Sequence, residues 1–489
     1  MSRLQLLFPL IFWAIWLGQR GEPVVAPWMG SAIYAMSLAL VVVLMRRWAR
    51  RAMRGTTFRS VQATSRFHQA MFAARWAILA IHGVALLYLG FGDLILATGI
   101  TFRGQVEAPA ALVSSIPVVL AWIGLIWAQY PLDRAIREQN ALAALNAGES
   151  IFEPPSLRQY IASNARLQVL SLLAPVAIAI LLRDAVLLAL DAAGMPRDGT
   201  NEVIATLMSA GFVFIVGPEI LRRVLPVQRL PDSPLRDRLE AMCKRLGLRY
   251  REILVWRTHF SFCNAAVMGL VPRFRYILLS DLLLDTMDDR QVEAVFAHEA
   301  GHVMHRHMTW YVVFAVVFFL WLGAAETIVG WIFWSGHVPV QVPLETIMFG
   351  IGVLAFFLIF GSLSRSFERQ ADLFAARTIS RAPAEDVQPD GVEVFNSALA
   401  HVARLNNMPL DARQFAHGRG RIGRVYASLV HHAGTWLHGS IRARMDYLRS
   451  LPNNPSRTSR FDRRMTAIRI ALLVALCSTT AWVITSMAK

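Results

Sequence analysis

The sequence predicts a mostly α-helical protein that crosses a membrane several times. Of its 489 residues, 55% are hydrophobic and only 17% are charged, and the mean hydropathy of +0.44 is typical of a membrane protein rather than of a soluble enzyme. Apolar runs that are long enough, or nearly long enough, to span a bilayer recur along the whole chain. They cover residues 5–18, 28–45, 73–91, 111–129, 167–190, 203–221, 309–333, 344–362 and 466–485.

The basic residues indicate how these spans are oriented. The net charge is +16, and arginines cluster in short loops between apolar runs, above all at 46–59. This is the pattern of the positive-inside rule and not that of a nucleic-acid-binding surface. With the amino terminus inside, 222–309 and 365–464 lie in the cytoplasm, and we expect a multi-pass protein of the cell (inner) membrane. A signal peptide is the alternative for the first run, but no small-x-small cleavage site precedes Gln19, which favours an uncleaved anchor.

The chain divides into three predicted regions. Residues 1–225 form a membrane region without a motif that indicates chemistry, and prolines then mark a linker. A domain at 226–465 is interrupted by the two spans at 309–333 and 344–362, and 466–489 form a last membrane helix. Within the domain, 251–256 and 275–280 have the composition of short β-strands.

A metal-binding helix is predicted after these strands. His298 and His302 are four residues apart, so on a helix both imidazoles leave the same face one turn apart and can bind one metal ion. Glu299 stands beside them, where a carboxylate can act as the general base of a hydrolysis without being a ligand. Asp288, with Gln291 three residues later, is typical of a capping box at the start of such a helix. The alternative is an amphipathic helix that carries two histidines by chance.

A third ligand is required, because a catalytic zinc usually has three from the protein. The extended motif with a glycine seven and a histidine ten residues after His298 is absent, since His305 and Met308 occupy those positions. Glu368 and Asp372 are four residues apart on a predicted helix, so one can bind the metal while the other orients a ligand. A solvated charged helix face is the alternative. Two predicted spans separate this pair from the histidines, and an even number of crossings returns the chain to the same face of the membrane.

The combination of His298-Glu299-x-x-His302 with Glu368-x-x-x-Asp372 resembles the membrane-integrated zinc metallopeptidases, which include the type I CaaX prenyl protease and the HtpX-type quality-control proteases. The resemblance implies a gluzincin-type α+β metalloprotease domain embedded in the helical membrane bundle. It implies one Zn²⁺ per chain bound by His298, His302 and Glu368, with Glu299 as the catalytic base. Asp372 would orient the ring of a ligand histidine.

The same resemblance extends more weakly to two other elements. Asn264 and Ala265 correspond to an Asn-Ala pair on the family's edge strand, along which an extended substrate can satisfy its backbone amides. His438 and Arg444 have the separation of a late His-Pro-x-x-x-x-Arg element, which implies catalytic groups that stabilise the oxyanion of the attacked peptide carbonyl. Gly439 departs from this pattern by replacing the proline.

Other histidines and the cysteines have no counterpart in these motifs. We expect solvated or interfacial histidines at positions 305, 307, 431 and 432. The three cysteines, Cys243, Cys263 and Cys477, form no C-x-x-C pair and are predicted to be buried thiols.

The favoured function is an integral-membrane zinc metalloendopeptidase in membrane-protein quality control or processing, which acts on protein or peptide substrates in contact with the lipid bilayer and has no nucleic-acid partner. A CaaX-type processing protease for prenylated proteins is the near alternative. A non-enzymatic scaffold with a structural zinc is disfavoured by Glu299, because a structural site needs no base. A transporter is disfavoured because the sequence lacks an internal repeat and matched Gly/Pro-broken spans.

Overall fold

The computed structural model describes most of the chain. The described residues are 4–18, 21–54, 61–100, 108–147, 153–195, 198–334, 341–380, 388–406, 408, 437–452 and 454–487. The chain forms two compact units, Met1–Gln228 with Trp256–Phe260, and Arg229–Val255 with Ser261–Lys489. The three predicted regions, with boundaries at 225 and 465, stay predictions.

The first unit is built from helices. They are α1 (Phe8–Gly18), α2 (Pro27–Arg54), α3 (Val61–Leu87), α4 (Phe91–Ala97), α5 (Ala108–Ala147), α6 (Leu157–Ala165), α7 (Ser171–Ala192) and α8 (Gly199–Val224), with a π-helical turn at Arg166–Leu170 joining α6 to α7. Large side chains from α2, α3 and α5, among them Phe67, Ile78 and Trp122, form a buried core. His82 lies fully inside it, and its Nδ1 is 2.7 Å from the hydroxyl of Tyr34, so this histidine is structural as its apolar setting suggests.

The second unit combines helices with most of a small sheet. Its helices are α9 (Pro234–Leu246), α10 (Asp281–Thr286), α11 (Asp289–Met304), α12 (His307–Trp334), α13 (Gln341–Ile379), α14 (Pro389–Leu405), α15 (Ile441–Arg449) and α16 (Pro455–Met487). The strands are β1 (Val227–Arg229), β2 (Glu252–Trp256), β3 (Ala265–Met268) and β4 (Tyr276–Ser280), in the order β1-β2-β4-β3. The two predicted strands are β2 and β4. The sequence did not show the short β1.

Six of the nine predicted spans coincide with helices that are long and apolar enough to cross a membrane, among the residues that the structure describes. These helices are Pro27–Met53, Gln69–Leu87, Ala108–Gln139, Leu157–Ala192, Gly199–Val224 and Pro455–Trp482. A predominantly α-helical, multi-pass fold with a small sheet is therefore confirmed.

The other three predicted spans differ from this pattern. The first run forms a shorter apolar helix, Gln5–Leu17. The run at 309–333 lies in α12. This helix is long and apolar enough to cross a membrane only when it is combined with α11, from which it is bent by 44°. The run at 344–362 lies in α13, whose side chains at 341–350 are outside the described residues.

A backbone break between α11 and α12 causes the bend. Arg306 has a φ of 54°, in the left-handed region that residues with a Cβ rarely adopt. Helix α11 therefore ends at Met304, and α12 begins at His307 in a new direction. The break turns the chain sharply just after the predicted metal-binding helix.

The cysteines are only partly placed as expected. Cys243 and Cys263 are buried thiols, as predicted. The prediction for Cys477 is wrong, because this residue is exposed on α16. An apolar face that a membrane helix turns to lipid has the same composition as one that packs inside a protein, so the sequence could not separate the two cases.

Candidate metal centre

Helix α11 starts where the sequence predicts. The carboxylate of Asp288 accepts a hydrogen bond from the backbone N–H of Gln291 at 2.9 Å, which satisfies one of the free amides of the first turn. Gln291 does not complete the capping box: its side-chain nitrogen donates to the hydroxyl of Ser397 at 2.6 Å, and its Oε1 lies 3.3 Å from Nδ1 of His401. Arg238 of α9 pairs with Asp289 and, at 2.7 Å, with Glu293. These contacts fix the helix between α9 and α14.

Close packing between α11 and α13 brings the two motifs together. A Cβ added to Gly301 would lie 3.2 Å from Cα of Ala371 and 3.2 Å from Cδ1 of Phe374. Ala300 and Ala371 are both buried. Small residues at this crossing let the backbones approach, so the histidine face of α11 meets the acidic face of α13.

The three predicted ligands converge at this crossing. Nε2 of His298 lies 3.3 Å from Nε2 of His302 and 3.6 Å from Oε2 of Glu368. Nε2 of His302 lies 3.8 Å from Oε1 of Glu368. Tetrahedral zinc with bonds of about 2.0–2.2 Å places neighbouring ligand atoms about 3.3–3.6 Å apart. Two of the three separations fall in this range and the third, at 3.8 Å, is slightly longer. The nitrogen and oxygen atoms therefore suit a zinc ion in type and number and come close to it in spacing.

Asp372 lies behind His298 and not at the convergence point. Its Oδ1 is 3.0 Å from Nδ1 of His298, the ring nitrogen that faces away from Glu368. Arg444 donates to both oxygens of Asp372, from Nε at 2.8 Å and from Nη2 at 2.5 Å. Burial raises the pKa of Asp372, but Arg444 and His298 outweigh it and hold the pKa below its usual value. Asp372 is therefore an ionised carboxylate that can orient the His298 ring.

Glu368 is also held as an anion. His438 Nδ1 is 2.8 Å from its Oε1, and Arg444 Nη1 is 3.1 Å from its Oε2. Burial raises the pKa of Glu368, yet the hydrogen bond from His438 and the charge of Arg444 lower it further than burial raises it. An ionised oxygen that faces two histidine nitrogens is the donor type that zinc accepts.

Glu299 has a different environment from the two carboxylates of α13. Its Oε2 accepts a hydrogen bond from the backbone N–H of Val267 on β3 at 3.2 Å. Burial raises the pKa of Glu299 to about 7. A carboxylate that gains and loses a proton near neutral pH is suited to general acid–base catalysis.

The predicted substrate-binding pair lies at the edge of the sheet. Among the described strands, β3 is at the end of the order and has β4 as its neighbour, antiparallel to it, with Ala265 opposite Leu279. Asn264 is exposed just before the strand, whereas the side chain of Ala265 is buried. Because the Val267 N–H donates to Glu299, the outer edge of β3 runs beside the candidate base.

His438 and Arg444 lie at the site, but their contacts differ from the predicted ones. His438 is bonded to Glu368 while 65% of its side chain is exposed. Arg444 is nearly buried, and its guanidinium contacts the two carboxylates of α13. These contacts are those of groups that position Glu368 and Asp372, and an oxyanion-stabilising role for His438 and Arg444 stays a prediction.

Sequence reasoning missed the environment of His302. His307 was expected to be solvated or interfacial, but it is fully buried, and its Nδ1 lies 2.9 Å from Nδ1 of His302. Nε2 of His307 is 3.1 Å from Oε1 of Gln370, which also accepts a hydrogen bond from Arg469 at 3.0 Å. Full burial disfavours a charge on the His307 ring. In the sequence, the signal of this contact was Gln370, a polar residue inside the second motif.

The comparisons with known proteins agree with the two motifs. Residues 230–464 match the model of Peptidase family M48. The chain is 26% identical over 226 residues to "CAAX prenyl protease 1 homolog" of Arabidopsis thaliana, covering 44% of this chain and 51% of that protein. It is 28% identical over 237 residues to "Protease HtpX homolog" of Sulfurovum sp. (strain NBC37-1), covering 46% of this chain and 80% of that protein. The resemblance to membrane-integrated zinc metallopeptidases is confirmed.

Among solved structures, the crystal structure of S. mikatae Ste24p aligns with a TM-score of 0.44 and 16% identity, covering 88% of this chain and 100% of that chain. The matching segment spans about half the length of the Arabidopsis relative. The family match, at residues 230–464, contains both motifs.

Proposed function

We propose that this protein, whose residues 230–464 match Peptidase family M48, is an integral-membrane zinc metalloendopeptidase. The observation that carries this function is the convergence of Nε2 of His298, Nε2 of His302 and the carboxylate of Glu368 within 4.8 Å of one another, with Glu299 one residue away from a ligand on the same helix. A structural zinc site has no use for Glu299, whereas a hydrolase does.

Different residues of the site would bind the metal, transfer the proton and position the ligands during peptide hydrolysis. His298, His302 and Glu368 would hold one Zn²⁺, which supplies Lewis-acid polarisation of the scissile carbonyl and lowers the pKa of water. Glu299 would accept a proton from the attacking water on its carboxylate and return it to the leaving amine. The hydrogen bond from Val267 keeps Oε2 of Glu299 in place and leaves Oε1 as the basic oxygen. Asp372 and Arg444 keep the ligands in position.

The edge of β3 would bind the substrate in an extended form. A peptide strand paired with an edge strand satisfies its amides without regard to side-chain sequence. Such a strand beside β3 would pass Glu299, because Val267 contacts Glu299 from the outer edge. Asn264, exposed at the start of β3, would bind backbone groups of the substrate, and Ala265 would shape the strand from the buried side.

The proposed membrane placement follows from charge. The arginine-rich loops would place the metal centre at the cytoplasmic surface of the cell (inner) membrane. Substrates would be membrane proteins in quality control or processing. Similarity to a protein named as a CAAX prenyl protease 1 homolog also favours a second candidate function, the processing of prenylated proteins. Cleavage of a prenylated peptide many times faster than of the same peptide without the lipid would distinguish the second candidate from the first.

The main test uses the purified protein in detergent. We expect chelator-sensitive cleavage of a denatured casein-like substrate and one zinc per chain by metal analysis. Glu299→Gln should keep the zinc and lose cleavage by at least about 100-fold, the size of effect typical of general acid–base catalysis. Glu293→Gln on the same helix is the matched control, because Glu293 pairs with Arg238 away from the metal centre. Full activity of Glu299→Gln, or absence of zinc in the wild type, would overturn the proposal.

A further inference from the structure

The environment of His302 contains a chain of hydrogen bonds that the catalytic proposal does not use. It runs from Arg469 on α16 to Gln370 on α13, to His307 on α12, and to His302 on α11. The two inner members, His307 and Gln370, are 0% and 5% exposed. Four different helices thus contribute one residue each to a single line of contacts.

The directions of these hydrogen bonds fix one another. Arg469 has only donors, so it can bind only the carbonyl oxygen of Gln370. That oxygen then accepts from Nε2 of His307, which makes Nδ1 of His307 the ring's lone-pair nitrogen. Nδ1 of His302 must therefore carry the proton in the 2.9 Å contact with His307. Nε2 of His302 is left with a lone pair, and it is the nitrogen that faces His298 and Glu368.

Packing holds the same arrangement in place. The His307 ring stacks on Phe367 with 4.3 Å between centroids and 4° between planes. Arg469 also donates to the carbonyl oxygen of His305 at 3.2 Å, and its guanidinium lies 5.7 Å from the Trp310 ring centroid. Arg469 falls within the predicted span at 466–485, where an ionisable side chain is expensive to place without a function.

We propose that Arg469, Gln370 and His307 are positioning residues that hold His302 in the tautomer and orientation of a metal ligand. The inference rests on the proposed function, because it takes the metal centre as given. Through this chain of hydrogen bonds the last membrane helix, α16, would contribute to metal affinity from outside the proposed ligand set.

The test measures zinc affinity by competition with a chelator, and the absorption spectrum of the Co²⁺-loaded protein as a second readout. His307→Phe keeps the ring that stacks on Phe367 but removes the acceptor, and Gln370→Leu and Arg469→Met break the chain further out. We expect His307→Phe and Gln370→Leu to weaken zinc binding about 10–100-fold, the effect of removing outer-shell partners elsewhere. Gln370→Glu keeps an acceptor for both neighbours and should restore most of the affinity.

Two controls separate positioning from general damage. His305→Phe changes a neighbouring histidine whose imidazole takes no part in the line of hydrogen bonds from Arg469 to His302. This variant should bind zinc like the wild type. Because the chain passes through His307, the double variant His307→Phe/Gln370→Leu should bind no more weakly than His307→Phe alone. Wild-type affinity in His307→Phe, or additive losses in the double variant, would overturn the positioning chain. Failure of the wild type to bind zinc would instead overturn the proposed function.

A second feature, independent of the metal centre, is a basic pocket of ≈ 430 Å³ at the start of α16. Four of its lining residues are arginines, Arg369, Arg457, Arg460 and Arg464, and none of the described lining residues is acidic. Three of these arginines share one face of α16, at spacings of three and four residues. Like charges at such spacing repel one another unless an anion is present.

The Tyr447 ring lines this pocket, and the neighbouring spans indicate its level relative to the membrane. Two guanidinium groups lie over the Tyr447 ring, that of Arg369 at 5.4 Å and that of Arg457 at 5.1 Å from its centroid. Arg369 follows the predicted span at 344–362, and the arginines of α16 precede the predicted span at 466–485. The pocket is therefore at the level where phospholipid headgroups meet water.

We infer that this pocket binds a phosphate-bearing anion, and that its source is the headgroup of an acidic phospholipid. A guanidinium group can bind two phosphate oxygens at once, and basic residues at an anionic membrane surface are attracted to its headgroups. A bound headgroup would fix the junction of α15 and α16.

The experiment compares phosphatidylglycerol with phosphatidylcholine. The wild type should retain phosphatidylglycerol through purification, detected by native mass spectrometry, and gain thermal stability when it is added in detergent. Arg457→Gln/Arg460→Gln/Arg464→Gln should lose both effects. Arg463→Gln should keep them, because Arg463 lies on the same helix but is not one of the residues that line the pocket.

Inorganic phosphate is the third arm of the experiment. If phosphate stabilises the wild type as well as phosphatidylglycerol does, a soluble anion is the ligand and the lipid assignment is wrong. Equal retention of both lipids by the wild type, or unchanged retention by the triple variant, would overturn the site itself.

Discussion

Replacing Arg444 by methionine should cost about 3–5 kcal/mol of stability, which is the usual effect of removing one partner from a buried ion pair. Arg444 is 9% exposed, and it contacts the carboxylates of Asp372 and Glu368 at distances of 2.5–3.1 Å. Methionine fills a similar volume without the charge, so the loss would come from two buried carboxylates that have lost their counter-charge. Equilibrium unfolding in mixed micelles measures this loss, and a chelator in the buffer removes any contribution from metal.

A double-mutant cycle attributes the effect to the pair. Asp372→Asn removes the carboxylate that Arg444 binds at both oxygens, so the second substitution should be less harmful when Arg444 is already replaced. The double variant should lose less stability than the two single variants lose in total, and we expect the difference to be at least about 1 kcal/mol. Arg442→Met, at an exposed position of the same helix, is the control and should change stability by less than about 0.5 kcal/mol. A loss below about 1 kcal/mol in Arg444→Met, or additive effects, would refute the reasoning.

Further predictions concern the ligand, the helix crossing and the topology. Glu368→Ala should lower zinc occupancy as strongly as replacement of a ligand histidine, and metal analysis showing full zinc would remove Glu368 from the ligand set. Gly301→Ala should destabilise the protein by about 1–3 kcal/mol in thermal or denaturant unfolding, because its Cβ would lie 3.2 Å from Cα of Ala371; a neutral effect would mean that the crossing relaxes freely. In a background without the native cysteines, single cysteines at 289 and 381 should react with a membrane-impermeant thiol reagent only after permeabilisation, and one at 336 should react in intact cells. Labelling of 289 and 381 from opposite sides would separate His298 from Glu368 and contradict the shared metal centre.

The sequence predicted those parts of the site that depend on local geometry. Four-residue spacing on a helix is enough to place His298 beside His302, and a strand composition is enough to find β2 and β4. The fold class follows from hydropathy, because a bilayer demands long apolar helices. The number of spans was less predictable, because a short apolar helix such as Gln5–Leu17 has the same composition as a helix that crosses the whole membrane.

Contacts that depend on a break in regular structure could not be predicted. On an uninterrupted helix His307 would lie about 140° around the axis from His302, facing a different neighbour. The left-handed φ at Arg306 ends α11 and turns the chain, so the two rings come within hydrogen-bond distance. Glycine or asparagine would have signalled such a position, but arginine does not.

The different roles proposed for Glu368 and Asp372 depend on contacts from outside their own helix. Both are carboxylates on one face of α13, and their spacing alone allows either to bind metal. Asp372 already accepts two hydrogen bonds from Arg444 and faces Nδ1 of His298, so its oxygens are occupied. Glu368, with a side chain one methylene longer, reaches the two Nε2 atoms instead. An arginine 72 positions further along the chain therefore favours one of two nearly identical groups as the ligand, and a spacing rule contains no information about such a distant partner.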